Sequence, residues 1–526
     1  MTITSGLRED FLYGFATAAA QIEGGGKEAE EQSGRGLSIW DTFCDTPGKI
    51  ADGTHVNRTC NHLELYKEDI ALMKSLGANA YRFSLSWPRI VPLGGSEDPI
   101  NEQGIDFYNN VINECLKHHI TPFVTLYHWD LPLELFNRYG GWLDKDSIIR
   151  DFTRYARVCY ERFGDRVKHW LTLNEPWCTA VHGHGNGQFA PGHVSNTEPW
   201  IVGHNLILGH AHAAKLYINE FKPQQGGIIG ITLNGDWCEP YDDKPENIEA
   251  AQRKMDFALG WFADPIYLGR YPQSMIDILG DRLPKFTKEE FAVIKDSSET
   301  YTTNTIKAVR SDDEFTGYTT MAFDKPDGSI IGLESELDWH RDVPWGFRKH
   351  LNYLYQRYQK PIYMTENGWC IKDESKLSPA EAIRTWHVYQ YYDVGRVKFY
   401  EGYTRALKEA VEIDRVDVRS YFGWSFLDNF EWASGLVPRF GSVYCNYETF
   451  ERTPKDSARS LMKFFIDNVH SSDSGKKHGS ADGLLVNGTG AGTNHAASIN
   501  GSLANGHAVN GTSTIAEKLP TAIGAH

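Results

Sequence analysis

The chain has no surplus of positive charge: 53 Lys and Arg stand against 69 Asp and Glu, a net charge of −16. A surface of that sign repels phosphate, which argues against a nucleic-acid binder. No apolar run reaches the roughly 18 residues that a membrane-spanning helix needs. Cysteine is sparse and scattered, at 44, 60, 115, 159, 178, 238, 370 and 445, with no C-x-x-C pair. Such spacing signals neither a zinc site nor a disulfide framework, and reads as buried or free thiols in a reducing compartment. No G-x-G-x-x-G follows a strand-like run, so no dinucleotide site is indicated. The histidines at 182, 184, 204, 210 and 212 have no carboxylate or cysteine spaced to complete a metal site. The expectation is therefore a protein with no cofactor. Positive charge is also missing ahead of the apolar stretch 11–20, where Glu9 and Asp10 stand. That stretch reads as a buried first strand rather than a secretion signal, and the expected location is cytoplasmic. Finally, residues 471–526 contain no Phe, Trp or Tyr and are rich in Gly, Ser, Ala and Asn. They are expected to form a low-complexity, disordered tail behind a folded domain of residues 1–470.

The full chain, tail included, is 41% hydrophobic and 13% aromatic, ample for a large core. Strand-like runs alternate with amphipathic helical patterns. Leu63, Tyr66, Ile70 and Met73 recur at helical spacing, Gly77 closes that helix, and a strand-like run follows at 80–87. Ile105, Tyr108, Ile112 and Cys115 precede a run at 121–129; Ile148, Phe152, Tyr155 and Cys159 precede one at 169–176. A helical stretch at 205–221 leads to a run at 228–234, and later runs occupy 361–368 and 420–427. Apolar strands alternating with helices specify a parallel sheet covered by helices. With the run at 11–20 there are seven strands, and an eighth, expected between 236 and 361, would close a (β/α)₈ TIM barrel with extended βα loops.

Several runs end in polar residues. Tyr127, His128, Trp129 and Asp130 end one, Asn174, Glu175 and Pro176 another, and Thr365, Glu366, Asn367 and Gly368 a third. In such a barrel the strand C-termini converge on one face, where active sites lie. Two glutamates 191 residues apart in sequence would then share a pocket. Trp87, Trp129, Trp177, Trp424 and Trp432 gather at the same strand ends, although Trp87 reads equally well as core. Indole beside carboxylates and amides suits sugars: ring C–H faces lie on the indole and hydroxyls meet Asn, Gln, His and Glu.

Six stretches in order (15–24, 81–84, 126–130, 174–176, 363–368 and 424–432) resemble the β-glucosidases of glycoside hydrolase family 1. The resemblance runs from about residue 7 to 468 and is strongest to the intracellular fungal enzymes. It implies a retaining, exo-acting β-glucosidase whose partner is a small β-glucoside. Glu175 would be the general acid/base and Glu366 the nucleophile. Gln21, His128, Trp129, Asn174, Glu431 and Trp432 would bind the glucosyl hydroxyls, with Trp424 as stacking floor. Arg82 would steady the nucleophile, and Trp177 and Trp339 would line the outer subsite. Glu175 separates the chain from the similar plant thioglucosidases, which carry Gln there. The pair Glu431 and Trp432 points to an unphosphorylated sugar, since a carboxylate repels phosphate.

One stretch departs from the family pattern. At strand six the family has an apolar run ending in Asn-x-Tyr, the Tyr bonding the nucleophile. Here residues 296–304 are polar and Thr-rich; Tyr301 matches that Tyr, but the apolar run and the Asn are missing. A capping box at Thr287 and Glu290 opens a short helix before it. The segment is expected to slide into the strand slot and leave an underpacked, less stable and less active barrel seam. Two alternatives accompany the main reading: a transglycosylating β-glycosidase, or an inactive sugar-binding homologue if the gap spoils the site.

A tail without aromatics buries almost nothing. Deletion of residues 471–526 should leave aryl-glucoside hydrolysis and Tm nearly unchanged; a large fall in either would show that the tail docks on the barrel.

Overall fold

The structure, a computed structural model, describes residues 6–304, 314–377 and 392–469, with the side chains at 301–304 and 392 outside the description. The tail assigned to 471–526 lies outside the described residues.

Eight strands run parallel around a closed barrel: β1 (Leu12–Ala16), β2 (Ala80–Ser84), β3 (Thr121–Tyr127), β4 (His169–Asn174), β5 (Ile228–Asn234), β6 (Thr300–Asn304), β7 (Ile362–Asn367) and β8 (Val418–Trp424). Each strand pairs with its sequence neighbours, and β1 closes on β8 with Phe15 opposite Gly423. The strands are nearly wholly buried, so they read as continuous apolar runs rather than alternating ones.

Local signals set the helices between them. His62–Leu76 ends at Gly77, whose φ of 102° belongs to the left-handed region. Glu102–Lys117 starts where the Asn101 side chain accepts from the Gln103 N–H, and buries Ile105, Tyr108, Val111 and Ile112 along one face. Lys145–Phe163 starts in the same way at Asp144, which accepts from the Ser147 N–H. Among the described residues no helix is long and apolar enough to cross a membrane.

The barrel lumen is filled in its lower half. Phe123 of β3 touches Phe422 of β8 (ring centroids 5.4 Å apart) and Tyr363 of β7 (5.7 Å), contacts that only side chains crossing the lumen can make. Ala16 and Ala80 leave room for these rings. The larger core lies outside the barrel, between strands and helices.

The eighth strand is the Thr-rich segment. β6 pairs with β5 from Gly230 opposite Thr300 to Asn234 opposite Asn304, and with β7 from Tyr301 opposite Ile362 onward. Backbone pairing thus closes the seam where an apolar run was missing. The polar residues ahead of it are satisfied rather than replaced. Ser297 Oγ lies 3.2 Å from His210 Nε2. Ser298 donates to the Thr300 carbonyl (2.8 Å) and accepts from the Tyr267 hydroxyl (3.0 Å). Glu299 pairs with Lys222. A buried polar strand lead-in is tolerable when each group has a partner. The preceding helix, Lys288–Ile294, carries the full Thr287–Glu290 capping box. The Tyr301 side chain, proposed from the sequence to support the nucleophile, lies outside the described residues.

Candidate active site

Pairing is irregular at the upper ends of β4 and β7, between Leu171 and Asn174 and between Met364 and Asn367. Such irregularities re-aim side chains. Directly after β4, Glu175 has a φ of 41°, held by its N–H on the Thr232 carbonyl of β5 at 2.9 Å. Trp129 (φ 73°) and Trp432 (φ 52°) also occupy the left-handed region, which costs a non-glycine residue energy that the surroundings must supply. After β7, a Cβ on Gly368 would stand 1.7 Å from the Trp424 carbonyl, so only glycine lets these two strand ends meet.

Arg82 of β2 is fully buried and reaches three neighbours: it ion-pairs with Glu366 of β7, and donates to Asn174 Oδ1 (2.6 Å) and Thr125 Oγ1 (3.1 Å). Because Asn174 accepts from Arg82 through its oxygen, its amide nitrogen faces His128 Nε2 at 2.9 Å. That nitrogen must accept, so the neutral imidazole carries its proton on Nδ1. The Trp129 indole N–H donates to the Asn174 carbonyl at 2.9 Å. Cys178 donates to Glu175 Oε2 at 3.4 Å. Burial, together with the charges of Glu175 and Glu431, pushes the Glu366 carboxyl up to about 8 against the pull of Arg82.

The long segment after β8 supplies the opposite wall. Gln21 donates to the Phe430 carbonyl (2.8 Å), Asn429 Oδ1 (3.1 Å) and Glu431 Oε2 (3.4 Å). His128 stacks between Trp424 and Trp432, at 6.1 and 5.7 Å. Trp432 lies 4.6 Å from both Trp129 and Trp40. A cavity of about 740 Å³ opens over Glu431 and Trp432, with Phe189, Phe323, Leu337 and Trp339 on its outer walls.

Arg82, His128, Trp129, Asn174, Glu366, Trp424, Glu431, Trp432 and Gln21 thus form one contact network, and Glu175 joins it through its charge on Glu366. Trp339 lines the outer cavity. Trp177 does not: it is 1% exposed, packed on His182 with Lys254 Nζ 5.7 Å above its ring. Trp87 is core, stacked on Tyr155 at 4.9 Å. Sequence reasoning missed Trp40 and Phe189, which wall in Trp129 and Trp432. Ser38 and Asp41 form a capping box around Trp40, a signal that marks a helix start. Among the described residues no His, Cys, Asp or Glu group could hold a metal ion.

A buried ionic cluster anchors the segment after β8. Asp428 accepts from Lys455 (2.9 Å), Arg439 (2.8 Å) and the Gly441 N–H (2.9 Å). Lys455 also meets Glu374 at 2.6 Å, and Arg396 joins Glu374, Asp393 and the Trp369 carbonyl. Three cations thus match three carboxylates, and each charge has fixed partners.

The model of the family described as glycosyl hydrolase family 1 matches residues 3–469. Beta-glucosidase 1B of Phanerodontia chrysosporium is 54% identical over 478 residues, 88% of this chain and 86% of that protein. Among solved structures, the β-glucosidase from Trichoderma harzianum is 48% identical with a TM-score of 0.83, covering 88% of this chain and 98% of its own. A β-glucosidase from the fungus Humicola insolens, in complex with glucose, is also 48% identical with a TM-score of 0.83, covering 88% and 99%.

Removing one partner from a buried ion-pair cluster leaves an uncompensated charge, typically costing about 3–5 kcal/mol. Lys455→Met should therefore lower stability by about that amount. It should also raise KM more than it lowers kcat, because the segment bearing Asn429 and Glu431 loosens. Thermal unfolding and steady-state kinetics on an aryl glucoside check both.

Proposed function

Because the chain belongs to glycosyl hydrolase family 1 and is a β-glucosidase, we propose that it removes terminal, non-reducing β-D-glucosyl residues with retention of configuration. The proposed substrates are cellobiose, short cello-oligosaccharides and aryl or alkyl β-glucosides. The carrying observation is the buried pair of Glu175 and Glu366 at the ends of β4 and β7, with the Arg82 guanidinium on Glu366 alone.

Burial and the charge of Glu175 raise the Glu366 carboxyl, while the Arg82 guanidinium pulls it the other way, toward the anion that attacks. Glu175, across from that nucleophile, acts as the general acid. In the first step a Glu366 oxygen attacks the anomeric carbon. The glycosidic bond breaks, and its oxygen leaves with the proton from Glu175. Esterification removes the Glu366 charge. Glu175, now an anion, takes a proton from water as that water attacks the same carbon and releases Glu366. Two displacements on one carbon return the β configuration.

The glucosyl unit would lie on Trp424. Its hydroxyls would meet Glu431, the Trp432 indole N–H, His128 and Gln21, whose buried Oε1 is an acceptor without a partner among the described residues. The carboxylate of Glu431 excludes a phosphorylated sugar from the same place. All eight cysteines are free thiols, which supports a reducing, cytoplasmic setting.

Glu366→Ala should abolish turnover, since no group remains to form the glycosyl-enzyme. Azide should restore part of it and yield the inverted glycosyl azide, seen by NMR of the product. Wild-type-like turnover in this variant would overturn the assignment.

Glu175→Gln should slow substrates with poor leaving groups, such as cellobiose, far more than activated aryl glucosides in the first step. Comparison of pre-steady-state bursts on the two substrate types measures this. Equal losses would mean that Glu175 is not the acid.

A further inference from the structure

Asp130 follows directly on His128 and Trp129 and is 2% exposed. Among the described residues neither of its carboxylate oxygens has a well-placed hydrogen-bond donor. It faces a small cavity of about 10 Å³, room for one water, shared with Ser38, Ser86, Glu23, Glu30, Arg35 and Arg89. The two guanidinium groups there are already engaged. Arg89 pairs with Glu23 (2.8 Å) and Glu30 (3.0 Å), and Arg35 with Glu30 (2.5 Å) and Asp41 (2.8 Å). The Tyr108 hydroxyl donates to the other oxygen of Glu23 at 2.7 Å. Three carboxylates thus face two cations before Asp130 is counted. An ionised Asp130 would leave two negative charges uncompensated among buried groups.

The same residues hold the turn that carries the site. The Ile39 N–H donates to the Leu131 carbonyl and the Leu133 N–H to the Leu37 carbonyl, so Ser38 of the cluster sits on the strip paired with residues 131–133, and Asp41 holds Ser38 through the capping box. Trp129, one residue before Asp130, is in the left-handed region and lies 4.6 Å from Trp432. A shift of Asp130 therefore moves His128 and Trp129.

We propose that Asp130 is a positioning residue for hydrolysis that works as an uncharged carboxyl: protonated, it seats the turn bearing His128 and Trp129; ionised, it unseats that turn and weakens binding of the glucosyl unit. This rests on the role proposed above for His128 and Trp129 in holding the sugar. Burial, with the charge of Glu23 beside it, pushes the carboxyl up to about 8, while Ser86 and Arg35 act in the opposite direction. Because the folded-state value is raised, the stabilisation is full below the ordinary carboxylate range and is lost as pH rises through about 8.

The test measures the Ki of D-glucose, a ligand uncharged at every pH used, against aryl-glucoside hydrolysis at pH 7 and pH 9. If the ionised form does not bind, a group titrating one unit below the final pH raises Ki about tenfold. Asp130→Asn keeps the shape and cannot ionise. Its Ki at pH 7 should match wild type, and its rise to pH 9 should be smaller than the wild-type rise by a factor of about five or more. The Glu175–Glu366 pair is common to both proteins and cancels in that ratio. The Tm of Asp130→Asn should also fall less than wild type over the same interval. Asp130→Ala should raise Ki at both pH values, since it empties the seat. Equal rises in wild type and Asp130→Asn overturn the proposal, as does a folded Asp130→Asn with poor glucose affinity at pH 7. If Asp130→Asn does not fold, Glu23→Gln decides: loss of the like charge should move the wild-type Ki transition to lower pH, and an unmoved transition overturns the proposal. A dead Glu366→Ala whose glucose Kd, read by direct binding, keeps the same pH transition would separate this idea from the assignment of the catalytic pair.

Discussion

The site depends on one buried guanidinium. Arg82 stands on β2 and holds groups on β3, β4 and β7 at once, through Thr125, Asn174 and Glu366. A charge this deep is costly unless several partners share it. Its planar fork meets the three acceptors through three separate nitrogens, a spread that a lysine's single nitrogen lacks. The same contacts set the amide of Asn174, and through it the tautomer of His128. Electrostatics and orientation in the pocket therefore share a single source.

Ionic clusters repeat that logic at the two sides of the mouth. On one side Asp428, Glu374 and Asp393 are matched by Lys455, Arg439 and Arg396; on the other Glu23, Glu30 and Asp41 surround Arg89 and Arg35. Buried ion pairs are weak contributors to net stability compared with packed apolar groups. Their directional bonds do fix loop geometry. The long segments after β1, β3 and β8 hold only short helices and strands, and these clusters tie them together. The first cluster balances in charge and the second does not, which sets Asp130 apart.

Much of this was legible in the sequence. Apolar runs that stop abruptly at Asn174 and Glu175 or at Thr365 and Glu366 mark strand ends, because a buried polar group there must have a purpose or a partner. Family resemblance added the roles of Gln21, Glu431 and Trp432. Strand β6 was hard to see because Thr and Ser replace the apolar run, and their burial is made tolerable by His210, Tyr267 and Lys222, residues remote in sequence. The resemblance placed Trp177 at the outer subsite, yet it is buried against His182 with Lys254 over its ring. Trp40, Phe189 and the Arg89 cluster were invisible for the same reason: each meets its partners only after the barrel has closed.

The rings of Phe123, Tyr363 and Phe422 have a consequence for traffic. They fill the lower barrel, so the strand-end residues around Arg82 face away from that end and toward the βα loops. A molecule bound for Glu366 therefore comes from the loop side, where Trp339 and Phe189 wall the outer cavity. The direction of approach is thus set by three rings that stand below the site.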